Sequence, residues 1–333
     1  NTFLLLFLFF TACENDKKSI LKESNKINSF FETYFNDKVN RSPMYQARLG
    51  IKKDYDKWDD ISPKSDTLEL TIAKNALKWI KDSININLLN DQTELSYRLF
   101  KQSLENQIKD FKYRLHNYPV NQMYGYHSRV PAFLINIHKV DSKKDAEDYI
   151  VRLNGIKDLF NQLEKNLIER ELVGIMPPQF VYHHVIDDSK NIISGLPFNG
   201  TDSSALFKDV VEKIETLNIE KNEQKKLIKQ AKSALISSVL PAYKSLIKFL
   251  EKQMVKSTKD DGVWKWPNGK EYYSNALKRT TTTDMTIEEI HQLGLTEVER
   301  IHKEMVKIKD EGGFRGNLKS FFNELKDNEK YYY

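Results

Sequence analysis

The stretch Gly262-Val-Trp-Lys-Trp266-Pro-Asn-Gly269-Lys-Glu-Tyr272-Tyr273, then Arg279-Thr280-Thr281-Thr-Thr283-Asp284-Met-Thr286-Ile-Glu-Glu289-Ile-His291-Gln-Leu-Gly294, decides the reading of this chain. Trp266-Pro267-Asn268-Gly269 is a tight turn, since proline presets φ and Asn-Gly tolerates positive φ. Four consecutive threonines favour extended backbone, because β-branching stiffens χ1 and suits a pleated strand. A short turn-strand element over 262–284 is therefore expected. A helix then begins abruptly: Thr286 and Glu289 have capping-box spacing, in which each side chain satisfies a free backbone N–H at the other's end. Ile290, Leu293, Val298, Ile301, Met305 and Ile308 follow at helical spacing, and Gly312-Gly313 supplies the stop.

Outward from there the chain reads as helices. Ile20 to Asn36 carries Ile27, Phe30, Phe31, Tyr34 and Phe35 on one side and should dock on a core. Lys52 to Pro63, with Tyr55 and Trp58, is a loop. Asp66 with Glu69, and Asp91 with Glu94, have capping-box spacing ahead of apolar-periodic segments. Asn117 to Pro131 breaks the pattern with Pro119, Gly125 and Pro131 among tyrosines, either a packed connector or a binding loop. Ser142 opens the longest run, with Ala146, Tyr149, Leu153, Ile156, Phe160, Leu163 and Leu167 as its stripe; unbroken from Lys143 to Leu172 it spans roughly 45 Å. Pro177-Pro178 forces a turn before a segment readable as strand or helix. Helices follow over 204–217 and 222–256, the second kinked or divided at Pro241. The fold class expected is mainly α, an extended multi-helix array, with one helical domain over 27–333.

At the other end, Phe3 to Phe10 is an unbroken apolar run, too short to span a bilayer as a helix. With Phe10-Thr-Ala-Cys13 it has the form of a lipoprotein signal peptide over 1–13, truncated at its N-terminus and ending in a lipobox, with a tether over 14–26. Cys13 is the single cysteine. Lipid on it would leave no thiol for a disulfide or a zinc ligand. The protein would then be extracytoplasmic and held to a bacterial membrane. The 52 basic and 47 acidic residues, net +5, are interleaved, a solvated-surface pattern rather than a basic nucleic-acid face.

The string from Tyr272 through Thr280–Asp284 to Glu288-Glu-Ile-His-Gln-Leu-Gly-Leu295 and Glu297-Val-Glu-Arg-Ile301 resembles the bacterial domain-of-unknown-function 885 (DUF885) family. Weaker likenesses lie at Tyr118-Pro-Val-Asn-Gln-Met-Tyr-Gly125, Pro43 with Ala47-Arg-Leu-Gly50, and Asp60-Ile-Ser62. The resemblance implies a lipoprotein in the zincin metallopeptidase clan, with this chain as the N-terminal and middle part. Relatives carry a zinc helix of the His-Glu-x-x-Pro-Gly-His kind well downstream of the threonine segment. This chain ends at Tyr333 before such a motif, so no catalytic or metal residue transfers to it.

The histidines agree. None of the seven begins His-Glu-x-x-His. His183 and His184 are adjacent and diverge by about 100° on a helix; with Asp187 and Asp188 they make only a weak polar cluster. His291 and His302 stand about 16 Å apart on one helix. No nucleophile elbow or phosphate-cradling loop is present. The resulting expectation is the non-metal scaffold half of a zinc-dependent peptidase-like hydrolase, inactive by itself. The resemblance implies zinc in the full-length parent, where a metal-bound water would attack a peptide carbonyl. A candidate substrate groove would be built on a strand edge over Arg279–Asp284, with Tyr272, Tyr273, Arg279, Thr281, Thr283 and Asp284 facing an extended peptide. The alternative is a non-catalytic, membrane-anchored helical binding protein.

Overall fold

A computed structural model describes residues 16–332 in full and the backbone of residues 2–15, so the lipid site proposed at Cys13 lies outside the fully described residues. The chain divides into two compact units, Asn1–Pro267 and Asn268–Tyr333, where one helical domain over 27–333 is expected.

The first unit is built on its longest buried helix. Eleven elements matter here: α1 (Thr2–Asn40), α2 (Pro43–Arg48), α3 (Pro63–Ser83), α4 (Asp91–Asp110), α5 (Tyr126–Asn136), α6 (Lys143–Leu172), α7 (Gln179–Ile192), α8 (Ala205–Glu215), α9 (Lys221–Ala234), a π-helical turn (Leu235–Val239) and α10 (Leu240–Lys256). α6 has the bounds its pattern predicts. Ser142 caps it by accepting the Asp145 N–H at 3.2 Å. It ends where Gly174 turns to φ +77° and the Ile175 N–H returns to the Arg170 carbonyl, a left-handed exit that a β-carbon would oppose. Its whole apolar stripe is buried, against α8, α9, α10 and the π-turn. Burying a Leu, Ile or Phe side chain is worth about 1.5–3 kcal/mol, so this seam dominates the unit's cohesion.

A second cluster joins α1, α3 and α4. Ile27, Ala73, Ile80 and Leu104 are its buried centre. Phe30 stacks on Trp79 at 4.1 Å, and Phe31 and Tyr34 each meet the Phe100 ring at 5.0 Å. Residues 16–26, read from sequence as a tether, continue the same helix. Ser24 is buried there and accepts the Asn90 N–H at 3.1 Å.

Three local expectations need correction. The caps of α3 and α4 are Ser62 and Asn90 rather than Asp66 and Asp91. Pro63 at the first position presets helical φ, which moves the start of α3 upstream. The connector read over Asn117 to Pro131 is helical from Tyr126, and Pro131 lies inside α5. Its missing N–H leaves the His127 carbonyl without the usual i→i−4 donor, and the Tyr243 hydroxyl fills that role at 2.6 Å from α10. Pro241 does sit at a division, since the π-turn ends just before α10. The segment after Pro177-Pro178 is helical, as α7.

In the second unit the structure overturns the strand. Among the described residues there is no strand, only isolated bridges in the first unit. Residues Gly269–Thr281 form α11, followed by α12 (Ile287–Glu311) and α13 (Leu318–Asp327). The threonines are accommodated because their hydroxyls bond back one turn: Thr280 Oγ1 to the Ala276 carbonyl and Thr281 Oγ1 to that of Leu277, both at 2.9 Å. β-branching costs a few tenths of a kcal/mol per residue in a helix, too little to break one already propagating. Asn268 takes positive φ at the turn, as Asn-Gly implies. The capping box is formed, with both Thr286 and Glu289 bonds in place.

Candidate functional site

The six residues proposed for a groove fall at the junction of α11 and α12, where helical rather than extended backbone redistributes them. Successive helical residues turn by about 100°, so Tyr272 and Arg279, seven apart, share one face of α11. Lys270, Ser274, Leu277, Lys278 and Thr281 share the opposite face. A concavity of about 390 Å³ lies over that second face, closed by the loop Thr283–Thr286 and the first residues of α12. Of the proposed set, Thr283 and Asp284 line it; Tyr272, Tyr273, Arg279 and Thr281 do not. The reason is geometric: a strand would alternate these side chains between two faces, whereas α11 ends at Thr281 and its turn carries Arg279 to the face away from the loop that holds Thr283.

The loop is held by its own hydroxyls. Thr282 caps α11 with φ +56°, a left-handed conformation unusual for a β-branched residue. Thr281 Oγ1 lies 3.0 Å from Thr283 Oγ1 and accepts the Thr283 N–H, while Thr283 Oγ1 accepts that of Met285. Lys278 and Asp284 form an ion pair across the mouth, and the ammonium holds the Asp284 carboxyl below its ordinary value. The backbone N–H groups of Arg279–Thr281 are spent inside the helix and the backbone is not extended, so no strand edge exists there to pair with an extended peptide. The concavity offers two lysines, two carboxylates and hydroxyls, which suits contact with polar groups of a ligand.

A second polar centre, in the first unit, escaped the sequence reading. Arg152 of α6 is fully buried. Its guanidinium donates to the Lys57 carbonyl at 3.0 Å, to the Pro43 carbonyl at 3.4 Å and to His138 Nδ1 at 2.9 Å. The rings of Phe133, Tyr55 and Trp58 lie 4.8, 5.0 and 5.6 Å from it. Burial lowers its pKa to about 10, so it stays charged at neutral pH. His138 Nε2 lies 3.0 Å from the Asp145 carbonyl, an acceptor only, so Nε2 carries the hydrogen and Nδ1 takes the arginine's. Burial holds His138 neutral, with a pKa near 3. This centre clamps the Lys52–Pro63 loop to α6, with Trp58 Nε1 donating to the Arg152 carbonyl at 2.8 Å. One signal could have found it: Arg152 falls on the apolar stripe, three residues after Tyr149 and four before Ile156.

The remaining histidines are dispersed. His183, His184, Asp187 and Asp188 are exposed on α7, and the buried His127 reaches Asp188 at 3.6 Å with no third ligand. Burial pushes the His127 pKa down, partly offset by Asp188. His291 and His302 are exposed on α12. Among the described residues, no three His, Cys, Asp or Glu side chains gather to hold a metal ion. Both nitrogens of His138 are engaged. The donors among the described residues therefore do not converge on a zinc site. No helix among the described residues is long and apolar enough to cross a membrane.

Residues 43–333 match the family described as bacterial protein of unknown function (DUF885), and the chain belongs to it. No curated protein matches. Among solved structures, a "putative lipoprotein" from Colwellia psychrerythraea superposes with a TM-score of 0.76 at 20% identity, over 89% of this chain and 52% of that one. A second, a "putative lipoprotein of unknown function" from Shewanella oneidensis, gives a TM-score of 0.59 at 16% identity, over 88% and 48%. At such identities the likeness shows the fold. The chain spans about half the length of the solved structures it matches.

Proposed function

We propose that this chain is the helical scaffold half of a lipid-anchored, extracytoplasmic, zinc-dependent peptidase-like hydrolase whose metal-holding residues lie in the other half. One observation carries the reading: a DUF885 chain aligns along 89% of its own length with only 52% of a solved relative, so that relative has about as much chain again outside the shared region. The zinc chemistry comes from the family resemblance, and no step is assigned to residues of this chain. Their part is to present the α11–α12 junction, where Lys278, Thr283 and Asp284 offer polar contacts to a peptide, and to hold the protein at the membrane through Cys13. Thr281 borders that surface on the same face of α11, whereas Tyr272 and Arg279 lie on the opposite face and fall outside it.

The test is peptide hydrolysis by the full-length protein before and after chelation. Activity should disappear on metal removal and return with zinc, while the 333-residue chain by itself hydrolyses nothing and binds no stoichiometric zinc. Hydrolysis that survives chelation overturns the zinc mechanism. Peptide binding without hydrolysis by the full-length protein establishes instead the anchored, non-catalytic binding protein.

A further inference from the structure

No apolar side chain between Asn268 and Tyr332 is buried among the described residues, although α12 is amphipathic over its full length. Ile290, Gly294, Val298, Ile301, Met305 and Ile308 recur at three- and four-residue spacing, which aligns them along one stripe. Val298 is 52% and Ile308 61% exposed. Phe314 and Phe321, in contact at 5.3 Å, join α13 to the end of α12 but leave the stripe open. A domain of about 60 residues is marginal even with a full core, so a unit with none requires a partner to cover it.

Gly294 indicates what kind. In a helix interior, glycine costs roughly 0.5–1 kcal/mol relative to alanine. A β-carbon there would meet nothing within 4 Å in this chain, so its own packing gives no reason for the glycine. A second backbone crossing at close range would. The charged residues of α12 argue against a lipid surface: Arg300 pairs with Glu297 and Glu304 beside the stripe, and Lys303 with Glu299 on the far side, so no basic excess faces anionic headgroups.

We infer that the stripe of α12 seats an apolar helix from the other half of the full-length protein, with the two backbones closest at Gly294. The inference rests on the scaffold-half reading above, and the covering segment is the part of the fold that the Colwellia structure has beyond the region shared with this chain.

The experiment is maleimide labelling of Val298→Cys in a Cys13→Ser background, in the full-length protein and in the 333-residue chain. Labelling should be about tenfold or more slower in the full-length protein, as for a site reached only through local opening. Equal rates in the two forms overturn the inference. So does protection in the shorter chain that grows with its concentration, which would identify a second copy as the occupant, and so does a gene that encodes no further half. Gly294→Leu gives an independent readout: it should lower the Tm of the full-length protein and leave that of the 333-residue chain unchanged or raised, since leucine is the better helix former. A rise in both overturns the close crossing. Labelling is indifferent to zinc and to hydrolysis, so loss of the peptidase reading and loss of this one give different results.

Discussion

The hydrogen bond from Tyr243 to the His127 carbonyl should be worth more than an ordinary one, and the excess should depend on Pro131. Tyr243 is fully buried on α10, with its ring against Phe160 at 4.9 Å and its hydroxyl 2.6 Å from the carbonyl. Because Pro131 cannot donate, Tyr243→Phe strands a buried acceptor, at a cost of about 1–3 kcal/mol rather than the ~1 kcal/mol of a typical bond. For a unit of this size each kcal/mol moves Tm by about 2–4 °C, so a fall of several degrees is expected. In a Pro131→Ala background the new amide can reach the same carbonyl, and Tyr243→Phe should then cost about 1 kcal/mol less. The assay is urea or thermal unfolding of the four proteins of the cycle. If Tyr243→Phe costs the same in both backgrounds within about 0.3 kcal/mol, the proline and the tyrosine are not coupled and the reasoning fails.

Two further outcomes follow from the structure and the sequence. His138 has its folded pKa depressed to about 3 from 6.5. The unfolded chain therefore binds the extra proton first; stability is full above about pH 6.5 and falls as pH drops from there toward 3, by at most about 1.4 kcal/mol per pH unit. Between pH 6.5 and 5, where ordinary carboxylates stay ionised, His138→Gln should flatten that slope; an unchanged slope refutes the neutral, arginine-bound imidazole. At the other end of the chain, Cys13→Ser in the full-length protein should abolish metabolic incorporation of labelled palmitate and release the protein from the membrane fraction. Retained label would place the lipid elsewhere or remove it from the account.

Where local chemistry and periodicity agree, the sequence is a reliable guide to this fold. α6 begins at Ser142 and ends at Gly174 because cap, apolar stripe and stop coincide, and α12 begins at its capping box for the same reason. It fails where only one signal speaks. Four threonines suggested a strand on propensity alone, yet a helix already running from Gly269 absorbed Thr280 and Thr281 by bonding their hydroxyls to the preceding turn. That single change dismantled the strand edge and sent Arg279 and Thr283 to different sides. The connector read over Asn117 to Pro131 likewise hid the start of α5 at Tyr126, because the donor deficit of Pro131 is visible in sequence whereas the tyrosine that offsets it lies more than a hundred residues away.

The sequence by itself determined the helical class, the positions of the long helices and the family, because these depend on contacts within a few residues: caps, turn glycines and the 3.6-residue apolar period. Tertiary structure alone decided which polar groups are buried together. Arg152, His138 and the loop around Trp58 are far apart in the chain. A buried cation, in turn, is tolerable only where carbonyls, a neutral imidazole and ring faces converge on it, and that convergence is a property of packing.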